Sequence, residues 1–236
     1  MRYAIIAAGE GSRLVQEGIA IPKPLIQIGG ESLIDRLVRI FSVNGASEVC
    51  IICRPEPQVE SHLIHIQQQG TVPLRYIVRT TPSSMHSLYE LSQLFESNEP
   101  FVLTTVDTVF KEEEFSNYVS AFEEVLATET ADGLMGVTDY IDDEKPLYVS
   151  IGDNMDIQAF LDHDNQPHYI SGGIYGLTPW ALTTLRSCIE RGESRMRNFQ
   201  RALLNDALRL KAWPFTKVLD IDHASDIGKA ETFLKG

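Results

Sequence analysis

The chain has 236 residues, of which 43% are hydrophobic and 22% charged, enough for one sizeable α/β core. Its 33 acidic residues against 20 basic ones leave a formal net charge of −13, which excludes a general basic surface for long nucleic acid. Three cysteines exclude a disulfide framework, and no apolar run reaches the roughly 18 residues that a membrane-spanning helix needs.

In chain order, Arg2 to Ala8 is an apolar, partly β-branched run that reads as a buried strand entering a Gly-rich loop. Leu33 to Val43 repeats apolar side chains at helical spacing, with Ser32 as N-cap and Gly45 as stop. A strand over Glu48 to Cys53, a helix over Gln58 to Gln69 and a strand over Leu74 to Arg79 follow. A helix over Met85 to Phe95 and a strand over Phe101 to Val106, ending in Asp107, complete this part. Such alternation is the pattern of a parallel, doubly wound sheet with right-handed crossovers.

Beyond that point the pattern changes. A helix from Glu112 to Thr128 and a strand over Gly133 to Thr138 precede an acidic stretch. Within it, Leu147 to Ile151 and Ile157 to Leu161 read as antiparallel strands. Tyr169 to Leu177 is a strand, Pro179 to Arg191 and Arg195 to Arg209 are helices, Lys217 to Ile221 is a short strand, and Ser225 to Leu234 is a closing helix. No repeat, linker or low-complexity tract interrupts the chain. The expectation is one α/β domain, a Rossmann-like, mostly parallel sheet with an inserted substrate-binding half. The halves divide at about residue 110, where the alternation breaks.

Cys50 and Cys53 lie three apart on a predicted strand and so face opposite sides of the sheet, as core side chains rather than a redox or metal pair. His62 and His65, with no third ligand nearby in sequence, read as surface residues on a helix.

Four segments carry chemistry. In Ala7-Ala8-Gly9-Glu10-Gly11-Ser12-Arg13, glycines after a strand let backbone N–H groups approach and cradle anionic oxygens. The segment is neither a P-loop nor the dinucleotide fingerprint, since Gly-Lys-Ser/Thr and the third glycine are both missing. In Ile21-Pro22-Lys23-Pro24-Leu25, flanking prolines stiffen the backbone around one cation. Asp107 closes an apolar strand at the same sheet edge as the Gly-rich loop, which suits a divalent-cation ligand or a turn cap. Asp220 and Asp222 are two apart on the last predicted strand, so their carboxylates face one side and call for a cation between them. Asp226 sits nearer the following helix N-terminus, where the dipole favours it.

The succession AAGEGSRL, PKPL and IGGESLI resembles the sugar-nucleotidyltransferase family, whose members open with A-A-G-x-G-[ST]-R-L, then P-K-[PA]-L, then a short turn before a helix. Between Leu14 and Pro22 this chain has VQEGIAI where the family often has a P-L-T segment. The resemblance implies the nucleotide-diphospho-sugar transferase fold and a single nucleotidyltransferase domain. It also implies a reaction in which an acceptor phosphate attacks the α-phosphorus of a nucleoside triphosphate and pyrophosphate leaves. Under it Arg13 and Lys23 are the catalytic cations, and Ala7, Ala8, Gly9, Glu10, Gly11 and Ser12 bind the nucleotide. Asp107 with Asp220 or Asp222 holds Mg2+, the register of the second acid staying open.

Ser83 and Ser84 stand where family members open a helix beside the base, so base contact and helix capping are equal readings. Ser171 to Tyr175, SGGIY, resembles the family's acceptor region, which implies that Gly172 and Gly173 let the acceptor approach the backbone. Asp143-Glu144-Lys145-Pro146 mimics a family E-K-P motif but precedes the strand that motif normally follows, and is set aside.

The stretch Ser84 to Tyr89, the acid-x-Asp ending and Gly192-Glu193 are also similar to choline-phosphate cytidylyltransferases of the same fold, which adds Glu193 as an acceptor-binding candidate. The expected partners are a nucleoside triphosphate and a small phosphorylated acceptor, a sugar 1-phosphate or, alternatively, phosphocholine held by an aromatic cage from Tyr148, Tyr169, Tyr175 and Trp180. A non-catalytic nucleotide-sugar sensor is the reading from another class; Arg13, Lys23 and both acidic sites argue against it. No nucleic acid or membrane partner is expected, and a homo-oligomer is left open. The opening MRYAIIAAGEGSRL does not read as a signal peptide, so the cytoplasm is the expected location. No counterpart of the hexapeptide-repeat domain of some relatives is expected.

Overall fold

The computed structural model describes residues 1–95, 98–142, 144–163 and 169–235. In chain order the strands and helices are β1 (Arg2–Ala7), α1 (Ser12–Gln16), β2 (Gln27–Ile28), β3 (Glu31–Ser32), α2 (Leu33–Val43), β4 (Glu48–Cys53), α3 (Pro57–Gln69), β5 (Leu74–Val78), α4 (Ser84–Ser92), β6 (Phe101–Thr105) and β7 (Thr108–Val109). They continue with α5 (Glu112–Thr128), β8 (Gly133–Thr138), β9 (Tyr148–Ile151), β10 (Ile157–Leu161), β11 (Ile170–Leu177), α6 (Ala181–Glu190), α7 (Met196–Asn205), β12 (Leu210–Phe215), β13 (Leu219–Asp220) and α8 (Ala224–Lys235).

Local chemistry explains the elements that the sequence announces. Ser32 Oγ accepts from Asp35 N at 3.1 Å and starts α2, whose apolar stripe is buried, and Gly45 leaves the helix with φ +74°. Pro57 opens α3 and Gly70, at φ +65°, closes it.

The central sheet runs β10-β9-β11-β6-β1-β4-β5, with β8 on the flank of β11 and β12 beside β8. β6, β1, β4 and β5 are mutually parallel, and β11 runs against β6. From β1 the chain winds outward through β4 and β5, then returns to the other side of β1 as β6. The strand order therefore reverses between β1 and β6, and a crevice opens there at the carboxyl edge.

Two apolar layers sandwich the sheet. Tyr3, Ile5, Val49 and Ile51 face the layer under α2, α3 and α5, while Ala4, Ile6, Cys50 and Ile52 face the layer under α4, α6 and α7. Cys53 and Cys50 fall in opposite layers, as their spacing predicts. Burial pushes their thiols up, Cys50 to about 12 and Cys53 to about 11, which keeps both as protonated core side chains. Among the described residues no helix is long and apolar enough to cross a membrane.

Three local expectations change. The Gly-rich loop carries a short helix, α1, entered through Gly11 at φ +59°. The helix expected to reach Arg209 stops at Asn205; the chain turns through Ala207 at φ +61° and forms β12, an unforeseen strand. β12 pairs along its length with β8, its other side meeting an isolated bridge from Lys211 to Asp156, and such an edge accommodates the exposed Pro214. The last predicted strand ends at Asp220 rather than Ile221, so Asp222 lies in the turn before α8 and does not share a strand face with Asp220. The cause is visible in the backbone. Ile221 N donates to Asp107 O at 3.1 Å, and Asp222 N and His223 N both turn to Asp226 Oδ2, at 3.2 and 2.8 Å.

Candidate functional site

Four parallel strands deliver their following loops to one edge. After β1 come Ala8, Gly9 and Glu10; after β4, Arg54; after β5, Thr80 to Ser84; after β6, Val106 and Asp107. All of them line one cleft of about 460 Å3, together with Lys23 and Asp220. A second cleft of about 280 Å3 adjoins it on the side of Arg13, Tyr140, Glu144, Gly172, Asp222 and Lys229, and Asp220 lines both. The larger volume suits the larger ligand.

Lys23 marks the junction. Pro22 and a 3-10 turn over Lys23–Leu25 fix its backbone, with Pro24 buried beneath. Its side chain is only 9% exposed. Nζ donates to Asp107 Oδ2 at 2.7 Å and to Asp222 Oδ1 at 2.8 Å, although these acids stand far apart in sequence. A small ribbon brings them together: β7 pairs with β13, setting Thr108 opposite Asp220 and Val109 opposite Leu219. Burial pulls the Lys23 ammonium down, but the two carboxylates outweigh it and hold its pKa above the ordinary lysine value. Lys23 is thus a permanent charge rather than a base.

Arg13, half-exposed on α1, reaches Asp222 Oδ2 at 3.4 Å through one terminal nitrogen and Glu144 Oε2 at 3.5 Å through the other. Arg54 NH1 lies 3.3 Å from Glu10 Oε1. The turn carrying Asp222 is itself fastened: Glu17, at the end of α1, lies 2.6 Å from His223 Nδ1 and accepts from Ala224 N at 2.6 Å. That contact lowers the Glu17 carboxyl and raises the His223 imidazole.

Ser83 is the N-cap of α4. Its hydroxyl accepts from His86 N at 3.4 Å, lies 2.9 Å from His86 Nδ1, and is approached by Arg195 N at 3.5 Å. Ser84 lines the cleft as the first residue of α4. Gly172 and Gly173 form a bulge in β11, where the register against β8 shifts between Ser171 and Tyr175. Gly173 has φ +71°, and a Cβ on Gly172 would meet Gly136 O at 3.2 Å, so both positions suit glycine.

Not every candidate gathers here. Glu193 pairs with Arg191 at 2.7 Å and lines a neighbouring cleft with Tyr148, Arg195 and Glu144. Tyr175 is buried, its hydroxyl accepting from Gln200 Nε2 at 3.3 Å, while Trp180 is exposed at the start of α6. Tyr148 lines the cleft of Glu193, so among the described residues Tyr148, Tyr175 and Trp180 do not form an aromatic cage. His65 is exposed, and His62 is half-buried against Asp35 at 2.9 Å. Of the set-aside E-K-P stretch, Asp143 lies outside the described residues, whereas Glu144 reaches into the cleft. Glu17, Arg54, His223 and Lys229 carry no motif of their own. Only their position beyond strand ends or beside a helix cap points to them.

Among the described residues no group of three His, Cys, Asp or Glu side chains forms a ready metal cluster. Asp107 and Asp222 converge on the Lys23 ammonium, at 2.7 and 2.8 Å, so the point where their oxygens meet is filled by a side-chain cation. Hard carboxylate oxygens are also the donor type that a divalent cation takes, with water and substrate phosphates completing its shell.

A family model described as "Nucleotidyl transferase" matches residues 3–236. A glucose-1-phosphate cytidylyltransferase of Salmonella typhimurium is 24% identical over 166 residues, which cover 69% of this chain and 55% of that protein. The chain thus spans about half the length of this curated relative. A putative glucose-1-phosphate thymidylyltransferase from Bacillus anthracis superposes with TM-score 0.84 at 18% identity, covering 100% of this chain and 95% of the other. The CTP:phosphocholine cytidylyltransferase of Streptococcus pneumoniae superposes with TM-score 0.76 at 17% identity, covering 99% and 98%.

Proposed function

The chain belongs to the nucleotidyl transferase family, and from that membership we propose that it transfers a nucleotidyl group from a nucleoside triphosphate to a sugar 1-phosphate, releasing pyrophosphate. The single observation that carries the reading is Lys23, held between Asp107 and Asp222 where the two clefts meet. A buried permanent cation beside a Gly-rich loop and two converging carboxylates is what a reaction between polyanions requires.

The nucleotide lies in the larger cleft, which Gly9 and Glu10 line, its phosphates against the N–H groups of the loop from Gly9 to Ser12. The acceptor lies by Gly172 and Gly173, its phosphate facing Lys23. An acceptor oxygen forms a bond to the α-phosphorus as the bond to the bridging oxygen of pyrophosphate breaks. The acceptor is already anionic, so no base is needed, and catalysis is positioning with charge stabilisation. Lys23 neutralises charge on the α-phosphate, and the planar fork of Arg13 takes the β- and γ-oxygens. Asp107 and Asp222, with Asp220 at the lip, are the residues that would hold Mg2+, which would supply further charge neutralisation on the phosphates.

A sugar acceptor is preferred over phosphocholine because Tyr148, Tyr175 and Trp180 stand apart, in a neighbouring cleft, in the core and on the surface. The cytoplasm, where nucleoside triphosphates are available, is part of this reading. The test is pyrophosphate release from each of the four ribonucleoside triphosphates against a panel of sugar phosphates and phosphocholine. Release with one base and a sugar 1-phosphate is expected. Tight nucleotide binding with no release from any pair would instead support a sensor.

A further inference from the structure

The segment VQEGIAI departs from the family's pattern, and Glu17 within it does something that the pattern does not describe. Its backbone belongs to α1: Glu17 N donates to Arg13 O at 3.0 Å, and Ile19 N returns to Leu14 O at 2.9 Å over the buried Leu14. Its carboxylate crosses to the opposite end of the chain. One oxygen accepts from Ala224 N, the first residue of α8, and the other meets His223 Nδ1, both at 2.6 Å. A carboxylate at a helix N-terminus satisfies an orphan donor and opposes the positive end of the dipole. Here that carboxylate comes from a distant element, while Asp226 takes the preceding donors, Asp222 N and His223 N.

We propose that Glu17 is a positioning residue: it ties the turn that carries Asp222 to the phosphate loop, and so sets where the second carboxylate meets Lys23 and Asp107. The inference rests on the reading of Asp107 and Asp222 as the pair that holds the metal. Asp222 is 47% exposed and sits outside any strand. Its carboxylate is anchored in front by Lys23 and Arg13, Asp226 holds its backbone N–H from behind, and Glu17 holds the turn two residues on, at Ala224 N. Without Glu17 the turn keeps Asp226 and the bond from Ile221 N to Asp107 O but loses its tie to α1, and the side chain that must meet a metal gains freedom.

The experiment compares the full chain with Glu17→Ala and Glu17→Gln by hydrogen exchange, thermal melting and steady-state kinetics. Glu17→Ala is expected to speed exchange at Asp222 to Ala224 while leaving the rest of the sheet protected. It should raise the metal concentration for half-maximal turnover about tenfold, the scale on which groups supporting a metal ligand act, with KM for the triphosphate nearly unchanged. Glu17→Gln keeps one acceptor oxygen and is expected to fall between. A purely structural role would lower the melting temperature without moving the metal requirement, and that result overturns the proposal, as does unchanged exchange at Asp222 to Ala224. An active parent with Glu17→Ala matching its turnover and metal demand strikes the role of Glu17 and leaves the proposed function standing. A parent inert with every substrate pair, whose Glu17→Ala variant still opens the turn, strikes the function and leaves the tether.

Discussion

The larger cleft, from Gly9 to Ser84, and the smaller one, from Arg13 to Lys229, share Asp220 and meet at Lys23, yet they are built differently. The larger is the outcome of topology. Adjacent parallel strands end together, Ala7 beside Cys53 and Cys53 beside Val78, so the loops that follow must meet. The smaller is collected from Arg13, the segment after β8, the bulge of β11 and the turn before α8. Contacts among partly exposed side chains hold it, such as Arg13 to Glu144 and Lys229 to Asp142. Exposed pairs of this kind are individually weak and screened by salt. A sheet edge therefore presents its loops robustly, while the assembled side can be retuned without disturbing the core.

The residue at the junction should give the largest effect, because neither cleft substitutes for it. Lys23→Ala is expected to cut kcat by about 10²–10³-fold, the scale for losing one preorganised charge-stabilising group. It also leaves Asp107 and Asp222 facing each other without their cation. A turnover within a few-fold of the parent, measured by pyrophosphate release, would reduce Lys23 to a structural counterion.

Next comes the contrast between the two acids near the C-terminus. Asp222→Asn is expected to raise the metal requirement roughly tenfold to a hundredfold, the range for disturbed metal sites, and Asp220→Asn to do so much less. Asp222 touches Lys23, whereas Asp220 lines the lip of both clefts. Equal losses, read as metal titrations of turnover, would mean that both carboxylates share the ion. The distinction between a topological side and an assembled side would then weaken, since Asp220 belongs to the ribbon with β7.

What could be read in advance follows the same division. β1, α2, β4 and α3 announce themselves through apolar period, caps and stops, all local, and their positions in the structure match to within a residue or two. The larger cleft inherits that legibility, because alternating strands and helices already imply a shared carboxyl edge. The smaller side offers no local signal. Nothing near Glu17 points to His223 or Ala224, and Glu144 stands in a stretch that sequence order alone sets aside. β12 has no place in the sequence reading, which carries the preceding helix to Arg209; the strand holds Pro214, which its edge position accommodates. The pair Asp220 and Asp222 shows the finest limit. A two-residue spacing implies a shared face only while the strand lasts, and this one ends between them.

The smallest expected effect separates two neighbouring hydroxyls within the larger cleft. Ser83 and Ser84 both line it, but Ser83 is already occupied: it caps α4 and sits against His86 and Arg195 N. Among the described residues no hydrogen bond engages the Ser84 hydroxyl, which leaves it for the base edge. Ser83→Ala is therefore expected to cost about 1 kcal/mol of stability, as loss of an N-cap does, with little change in KM for the triphosphate. Ser84→Ala is expected to leave the melting temperature alone and raise that KM about two- to tenfold, the value of one neutral hydrogen bond. Paired melting curves and KM measurements decide between them. If Ser83→Ala raises KM while stability holds, the cap is also a base contact. The side of the site that topology delivers would then do its recognition with the same atoms that begin its helix.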